Sequence, residues 1–205
     1  MATPREIIDA MESVLGIFLS NVRHKDRAAF ILCDELVEMA CKLRAREDDH
    51  HFDMTCGFKA AWKAPGVSIP PNPLGDSIQR SRHTRNTMQH ASAAATVDER
   101  HCADAILDAL AVIEHCWNGA QNHDMPAWMI CVLRIVRLYS SEGTPDVRQQ
   151  FEDRMRDEDW RGEERKQPRI NEIKIRPGLR SNWGMLLTTR GHARLTQLLD
   201  EVGAD

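Results

Sequence analysis

Several features that define other protein classes are missing from this sequence. It contains no apolar run long enough to span a bilayer. Residues 1–6 lack the charged-then-apolar layout of a secretion signal. The net charge of −4 does not suit a dedicated nucleic-acid coat protein, which is usually basic. We therefore expect a cytoplasmic protein without a membrane segment, in which any contact with nucleic acid is local.

The cysteines also lack the spacings that mark a metal or redox site. None of the six belongs to a C-x-x-C pair. Four lie among apolar residues at helical spacing: Cys33, Cys102, Cys116 and Cys131. A zinc site would have to recruit His50, His51 and Cys56, whose spacing matches no strong zinc pattern. We predict buried free thiols in a reducing compartment, and neither a metal nor another cofactor.

Helical periodicity dominates the first 142 residues. Apolar residues recur at steps of three and four in four long segments, at about 4–21, 26–45, 97–117 and 126–139. T-x-x-E capping boxes at Thr3–Glu6 and Thr96–Glu99 predict two of the helix starts. The prolines and glycines of residues 65–75 predict a loop without regular structure, after which a further helix begins at Asp76.

The sequence changes character beyond Gly143. Residues 144–166 contain eight acids and six bases, which favours a solvated helix with many ion pairs. Residues 171–176 alternate between apolar and charged side chains, as in a short half-buried strand, and residues 183–188 can return as a second strand. Three leucines predict a closing helix: Leu195, Leu198 and Leu199. These segments form a small α+β extension.

The helix that begins at Asp76 carries the clearest chemistry. RNA can be cleaved by its own 2′-hydroxyl, which needs a base, an acid and positive charge at the phosphate. Histidine titrates near neutrality, so His90 can give or take a proton. Arg85 is always charged and can grip two phosphate oxygens at once. Asn86 can donate a neutral hydrogen bond or orient the phosphate. This chemistry requires no metal.

Helix geometry restricts how these residues can meet. Residues five apart on a regular helix point about 140° away from each other. Arg85 and His90 therefore do not converge on one phosphate within a regular helix. Either the helix loosens before His90 or a second chain completes the site.

The segment Arg85-Asn86-Thr87-Met88-Gln89-His90 resembles the R-x(4–6)-H motif of the HEPN superfamily, which often has Asn, His or Asp after the arginine. The resemblance covers roughly residues 4–140. In that family too, the motif lies near the end of one bundle helix, and a short connection and an amphipathic helix follow it. It implies a mainly α fold: a HEPN-like bundle of four to five helices at 1–142, followed by the extension at 143–205. It also implies a symmetric dimer that pairs two motifs across a cleft.

The predicted function is a metal-independent RNA endonuclease of toxin or defence type that acts as a homodimer. Its catalytic residues are Arg85, Asn86 and His90. Its RNA-binding residues are Arg80, Arg82 and His83. An acid of the second helix could orient Arg85: Asp34, Glu35 or Glu38. Residues 144–205 could engage an antitoxin or an activating partner.

Blander interpretations stay open beside this one. The arginines could form an ordinary solvated helix face, and His90 could be a hydrogen-bonded residue at a helix end. The chain could then be a non-catalytic adaptor whose motif binds a nucleotide or a protein. A third alternative is an antitoxin-like partner with a charged tail that wraps another protein.

Overall fold

A computed structural model describes residues 2–20, 22–90, 96–117, 125–157 and 189–204. Within these residues the regular elements are helices and no strand is present, which confirms a mainly α fold. The helices are α1 (Arg5–Leu19), α2 (Lys25–Asp48), α3 (Phe58–Trp62), α4 (Asp76–His90), α5 (Glu99–Cys116), α6 (Ala127–Tyr139), α7 (Pro145–Asp157) and α8 (Thr189–Val202). The strands predicted at 171–176 and 183–188 lie outside the described residues. None of the described helices combines the length and the apolar character needed to cross a membrane.

The centre of the bundle is the long helix α2, which packs against α1, α5, α3 and α4. Amphipathic helices bury their apolar stripe against one another. The stripes of α1, α2 and α5 meet in this way. Some of their largest side chains are at most 2% exposed: Phe18, Leu36, Ile106 and Ile113. α6 closes the core against α5 and α1.

Helices α7 and α8 pack against α6 and against each other. Phe151, Leu195 and Leu199 have no exposed surface and belong to the same hydrophobic cluster as the core of the bundle. Arg134 of α6 fastens α8, because its Nη2 donates to Asp200 Oδ1 at 2.7 Å and its Nε donates to the carbonyl of Ala204 at 3.0 Å. The predicted closing helix is therefore confirmed, and its apolar face is already covered.

Both predicted capping boxes are wrong. Pro4 occupies the N-cap of α1, and no side chain caps that helix. α5 begins after Asp98 rather than at Thr96, and the Asp98 carboxylate accepts a hydrogen bond from the backbone N–H of His101 at 2.9 Å. A carboxylate satisfies a free N–H at the helix start and also interacts favourably with the helix dipole. Asp98 therefore replaces threonine as the cap.

In the segment predicted to be irregular, residues Pro71–Gly75 form a kinked turn that leads directly into α4, and Asn72 within it has extended backbone angles. The turn depends on Gly75, whose N–H donates to the carbonyl of Pro70 at 3.1 Å. A Cβ atom on Gly75 would come 2.7 Å from that carbonyl oxygen, closer than real Cβ contacts allow. The absence of a side chain lets the chain turn tightly and places the start of α4 beside Trp62 of α3.

Candidate functional site

Helix α4 is attached to the bundle near both of its ends and, through Arg82, at its middle. Its buried side chains are Ile78 near the start and Met88 near the end. Ser77 donates from Oγ to Asp108 Oδ2 of α5 at 2.6 Å. Arg27 of α2 donates to the carbonyl of Met88 at 3.0 Å. These contacts fix the helix while most of its other side chains keep access to solvent.

Arg82 forms the main polar link between α4 and α2. Its Nη1 lies 3.0 and 3.1 Å from the two oxygens of Asp34, and its Nη2 lies 3.1 Å from Glu38 Oε2. Its guanidinium carbon sits 3.9 Å above the centre of the Phe58 ring, a cation–π arrangement. Arg82, predicted from sequence to contact RNA, is therefore engaged by two acids and one aromatic ring.

Arg85 shares Asp34 with Arg82. Its Nε lies 3.4 Å from Asp34 Oδ2, and its Nη1 donates to Asn86 Oδ1 at 3.2 Å. The Nε–H is buried and has no hydrogen-bond acceptor among the described residues, although a fifth of the side chain stays exposed. Of the three acids considered from sequence, Asp34 is the one that lies beside Arg85.

The electrostatics of Asp34 and Glu38 differ. Burial raises the pKa of Asp34, and the charges of Arg82 and Arg85 oppose this shift without cancelling it. Partial burial also acts to raise the pKa of Glu38, but hydrogen bonds from Lys42 and Arg82 outweigh it, and the pKa is lowered. The charge of Asp34 is thus less well compensated than that of the half-buried Glu38.

His83, Asn86 and His90 are exposed on a different face of α4. At 100° per residue they fall within an arc of about 60°, whereas Arg85 points about 140° away from His90. α4 remains helical as far as His90, so it does not loosen before that residue as one sequence interpretation required. Arg80 is exposed beyond the arc, on the side of His83. Within one chain, the histidine and Arg85 stay on separate faces.

An open groove of about 710 Å³ runs between α3 and α4. From α4 it is lined by Gln79, Arg82, His83 and Asn86, and from α3 and its ends by Gly57, Phe58, Lys59, Trp62 and Lys63. Sequence reasoning did not identify the α3 half of this surface. The signal was present in the segment FKAAWK, where two lysines alternate with two aromatic residues.

Two histidines outside the motif, His101 and His115, make hydrogen-bonding contacts elsewhere in the bundle. His115 Nε2 lies 2.8 Å from the carbonyl oxygen of Val67, which joins the end of α5 to the loop after α3. His101 Nδ1 lies 2.6 Å from Asp98 Oδ1. His50, His51 and Cys56 form no metal-binding group, and in the described ranges no three His, Cys, Asp or Glu side chains cluster as such a group requires.

Comparisons of the chain with protein-family models, curated proteins and solved structures gave no match. The HEPN resemblance therefore rests on the residues of the motif and on its position in the helical layout. The chemistry of the site has to be argued from the geometry of α4 and its neighbours.

Proposed function

We propose that this chain is a metal-independent RNA endonuclease of HEPN type that acts as a homodimer. The observation that carries the proposal is the separation of His90 from Arg85 on α4, with Asn86 between them, whose Oδ1 accepts a hydrogen bond from Arg85 Nη1 at 3.2 Å. One face exposes Asn86 and His90 to solvent. The other holds the partly exposed guanidinium of Arg85 against Asp34, whose Oδ2 lies 3.4 Å from the Arg85 Nε. About a fifth of the Arg85 side chain is exposed, so its guanidinium can reach a phosphate while Asp34 holds the buried part.

In this mechanism the 2′-hydroxyl of the substrate attacks the adjacent phosphorus and the 5′-oxygen of the next nucleotide leaves. The products are a 2′,3′-cyclic phosphate and a free 5′-hydroxyl. His90 of one chain takes the proton of the attacking hydroxyl, and His90 of the other gives a proton to the leaving oxygen. The guanidinium of Arg85 stabilises the charge that develops on the phosphate oxygens. Asn86 orients the phosphate by a neutral hydrogen bond.

The dimer is required because Arg85 and His90 point about 140° apart on a regular helix. Two copies of α4 that face each other across a cleft bring Arg85 of one chain towards His90 of the other. Light scattering should show a dimer at working concentration. A fully active monomer would contradict this arrangement.

The principal test compares wild-type protein with His90→Ala on single-stranded RNA in excess chelator. Wild type should cut and leave a cyclic phosphate, since none of the proposed roles belongs to a metal. His90→Ala should lose about 10²–10⁴ in rate, as is typical when a proton-transfer group is removed. Deoxyribose at the cut site should block the reaction. Activity that disappears with chelator and returns with magnesium would overturn the proposal.

One observation favours a different function, that of a non-catalytic adaptor. Arg82 and Arg85 both lie in ion pairs with Asp34, so part of their charge is already neutralised. An adaptor would use the exposed face of α4 to bind a partner without cutting it. If purified protein cuts no RNA, and His90→Ala alters partner binding but not stability, the adaptor is the correct reading.

A silent enzyme that awaits an activator would also fail to cut RNA in purified form. Expression in cells separates this case from the adaptor. Toxicity that disappears with His90→Ala at equal protein level would support the nuclease. A harmless wild-type protein that still binds a defined partner would support the adaptor.

A further inference from the structure

We infer that the groove between α3 and α4 binds a single-stranded stretch of RNA, with a base stacked on Trp62 and the backbone held by Lys59 and Lys63. This inference rests on the proposed function, since it assigns the path by which that substrate reaches the exposed face of α4. The R-x(4–6)-H motif lies entirely on α4 and includes no residue of α3. The groove is therefore a second recognition element, separate from the residues that cut.

Two aromatic rings in contact, Phe58 and Trp62, form the floor of the groove. Phe58 is 5% exposed, and its ring lies 5.2 Å from that of Trp62. Arg82 covers the Phe58 ring from the side of α4. Trp62, by contrast, keeps part of its surface exposed in the groove. A supported ring with an accessible portion is a suitable platform for an unpaired base, because every base has a flat π face.

The charge of the groove suits a phosphate backbone. Lys59 and Lys63 are exposed, and among the described residues that line the groove none is acidic. The two lysines are four residues apart, so their Cβ atoms lie roughly 5–6 Å from each other on the same side of α3. This positive strip exists on a chain whose net charge is −4, so it is a local feature rather than a consequence of overall composition.

The groove continues onto the proposed catalytic face. Its α4 wall includes His83 and Asn86, and His90 follows one turn after Asn86 along the same arc. A strand that leaves α3 along this wall would pass Asn86 before it reaches His90. Duplex RNA keeps its bases stacked inside and cannot offer one to Trp62, so single-stranded RNA is the expected ligand.

The test measures binding of a fluorescein-labelled single-stranded RNA of about 12 nucleotides by anisotropy across a range of salt concentrations. All proteins carry His90→Ala so that the RNA stays intact. Lys59→Gln/Lys63→Gln should weaken binding on the order of tenfold at 0.1 M salt. It should also reduce the slope of log affinity against log salt by about 1.4, the value for two lost phosphate contacts on a single strand.

The matched control is Arg5→Gln/Arg154→Gln, which removes the same charge from exposed positions on α1 and α7. It should leave the slope unchanged. Trp62→Leu should weaken binding at least about fivefold, and Trp62→Phe should restore most of it, because stacking requires an aromatic ring. Circular dichroism of each variant identifies any loss of fold, and Trp62→Phe keeps the stacking test valid if the leucine variant is unstable.

Equal loss in the lysine and arginine double variants would overturn the inference, as would equal affinity for a matched RNA duplex. Equal affinity for a polyglutamate peptide would also overturn it and point to an acidic protein ligand. The outcome is independent of catalysis. If wild-type protein cuts RNA but the groove variants bind normally, the groove inference fails and the nuclease proposal survives. If the groove variants lose binding, while wild type never cuts RNA and is harmless when expressed in cells, the groove inference survives and the nuclease proposal fails.

Discussion

At the scale of single residues, Asp34 has the most demanding position. Its side chain is 5% exposed, yet it faces two guanidinium groups from α4. A buried carboxylate is tolerated only when its charge is paired and its oxygens accept hydrogen bonds. Arg82 supplies two hydrogen bonds, one to each Asp34 oxygen, and Arg85 supplies only a nearby charge. The contact between α2 and α4 therefore depends mainly on Arg82.

Replacement of Arg82 by methionine should lower the free energy of unfolding by roughly 2–4 kcal/mol, because it leaves Asp34 buried with a poor partner. Glu38→Gln is the matched control. It removes another anion that contacts Arg82 but sits in a more exposed pair, so it should cost about 1 kcal/mol or less. Urea denaturation followed by circular dichroism gives both values. Equal losses would show that Asp34 is not the critical partner.

The environment of Asp108 predicts that the stability of the protein depends on pH. Burial raises the pKa of its carboxyl, and the negative charges of Asp104 and Glu142 add to that shift. A hydrogen bond from Ser77 and the charge of Arg80 oppose it without reversing it. The folded state therefore favours the protonated form. The stability that protonated Asp108 contributes is complete below the pKa of an unfolded aspartate, about 3.9. It is lost as the pH rises through the higher pKa that Asp108 has in the folded state.

Asp108→Asn imitates the protonated carboxyl at every pH. Wild type should match this variant near pH 3.5 and become progressively less stable relative to it as pH rises towards 7. Urea denaturation of both proteins at several pH values measures the difference. A wild type that gains stability relative to the variant with rising pH would contradict the assignment.

At the scale of elements, the sequence predicts where helices lie better than how they begin. The apolar stripes of α2, α5 and α6 determine their positions, because burial of a stripe needs many residues and tolerates local variation. A cap depends on one side chain and its backbone angles. Thr96 and Asp98 are both suitable caps, and only the folded backbone shows that the Asp98 carboxylate reaches the N–H of His101.

Asp98→Ala should therefore destabilise the protein by about 1 kcal/mol, the usual effect of losing an N-cap. Thr96→Ala, at the cap predicted from sequence, should change stability by less than about 0.5 kcal/mol. The N–H of His101 lowers the pKa of Asp98, so the cap contributes above the pKa of the unfolded carboxyl and is lost as pH falls through the lower folded value. Thermal melts of both variants at neutral pH would show whether Asp98 or Thr96 caps α5.

The candidate site was only partly accessible to sequence reasoning. Helix geometry was enough to place Arg85 and His90 on different faces, because this relation lies within one helix. The pairing of Arg85 with Asp34 joins residues 51 positions apart, and nothing local distinguishes Asp34 from Glu35 or Glu38. The groove was missed because α3 has only five residues and follows a glycine, so its helical pattern is weak.

At the scale of the whole molecule, one hydrophobic cluster contains residues from α1 to α8. The apolar face of α8 is part of it, so this helix is not a free arm in the described structure. If the region beyond Gly143 recruits a partner, the contact must use its charged outer surface or the residues outside the described ranges. This restricts the earlier expectation that residues 144–205 engage another protein.

The same cluster predicts how the thiols react. Burial raises the pKa of Cys33, Cys41 and Cys102 far above the usual range, raises that of Cys116 to about 12 and also raises that of Cys131. Cys56 alone among the six cysteines is partly exposed. Because the thiolate is the reactive form, one thiol should react quickly with a disulfide reagent in native protein and six in denaturant. Cys56→Ser should abolish the fast phase. Rapid reaction of several thiols would indicate a looser core.

Two of the five tryptophans, Trp62 and Trp117, lie in contrasting environments. Trp117 is 1% exposed, and its indole N–H donates to both oxygens of Glu47 at 3.1 and 3.0 Å. Its emission should be blue-shifted in the native state and should move to longer wavelength only when α2 and α5 separate. Trp62 has part of its ring in the groove, so an adjacent base would quench it without unfolding. Trp128, Trp160 and Trp183 also contribute to the total emission. The difference in emission between wild type and Trp62→Phe, compared with and without RNA, therefore isolates occupancy of the groove.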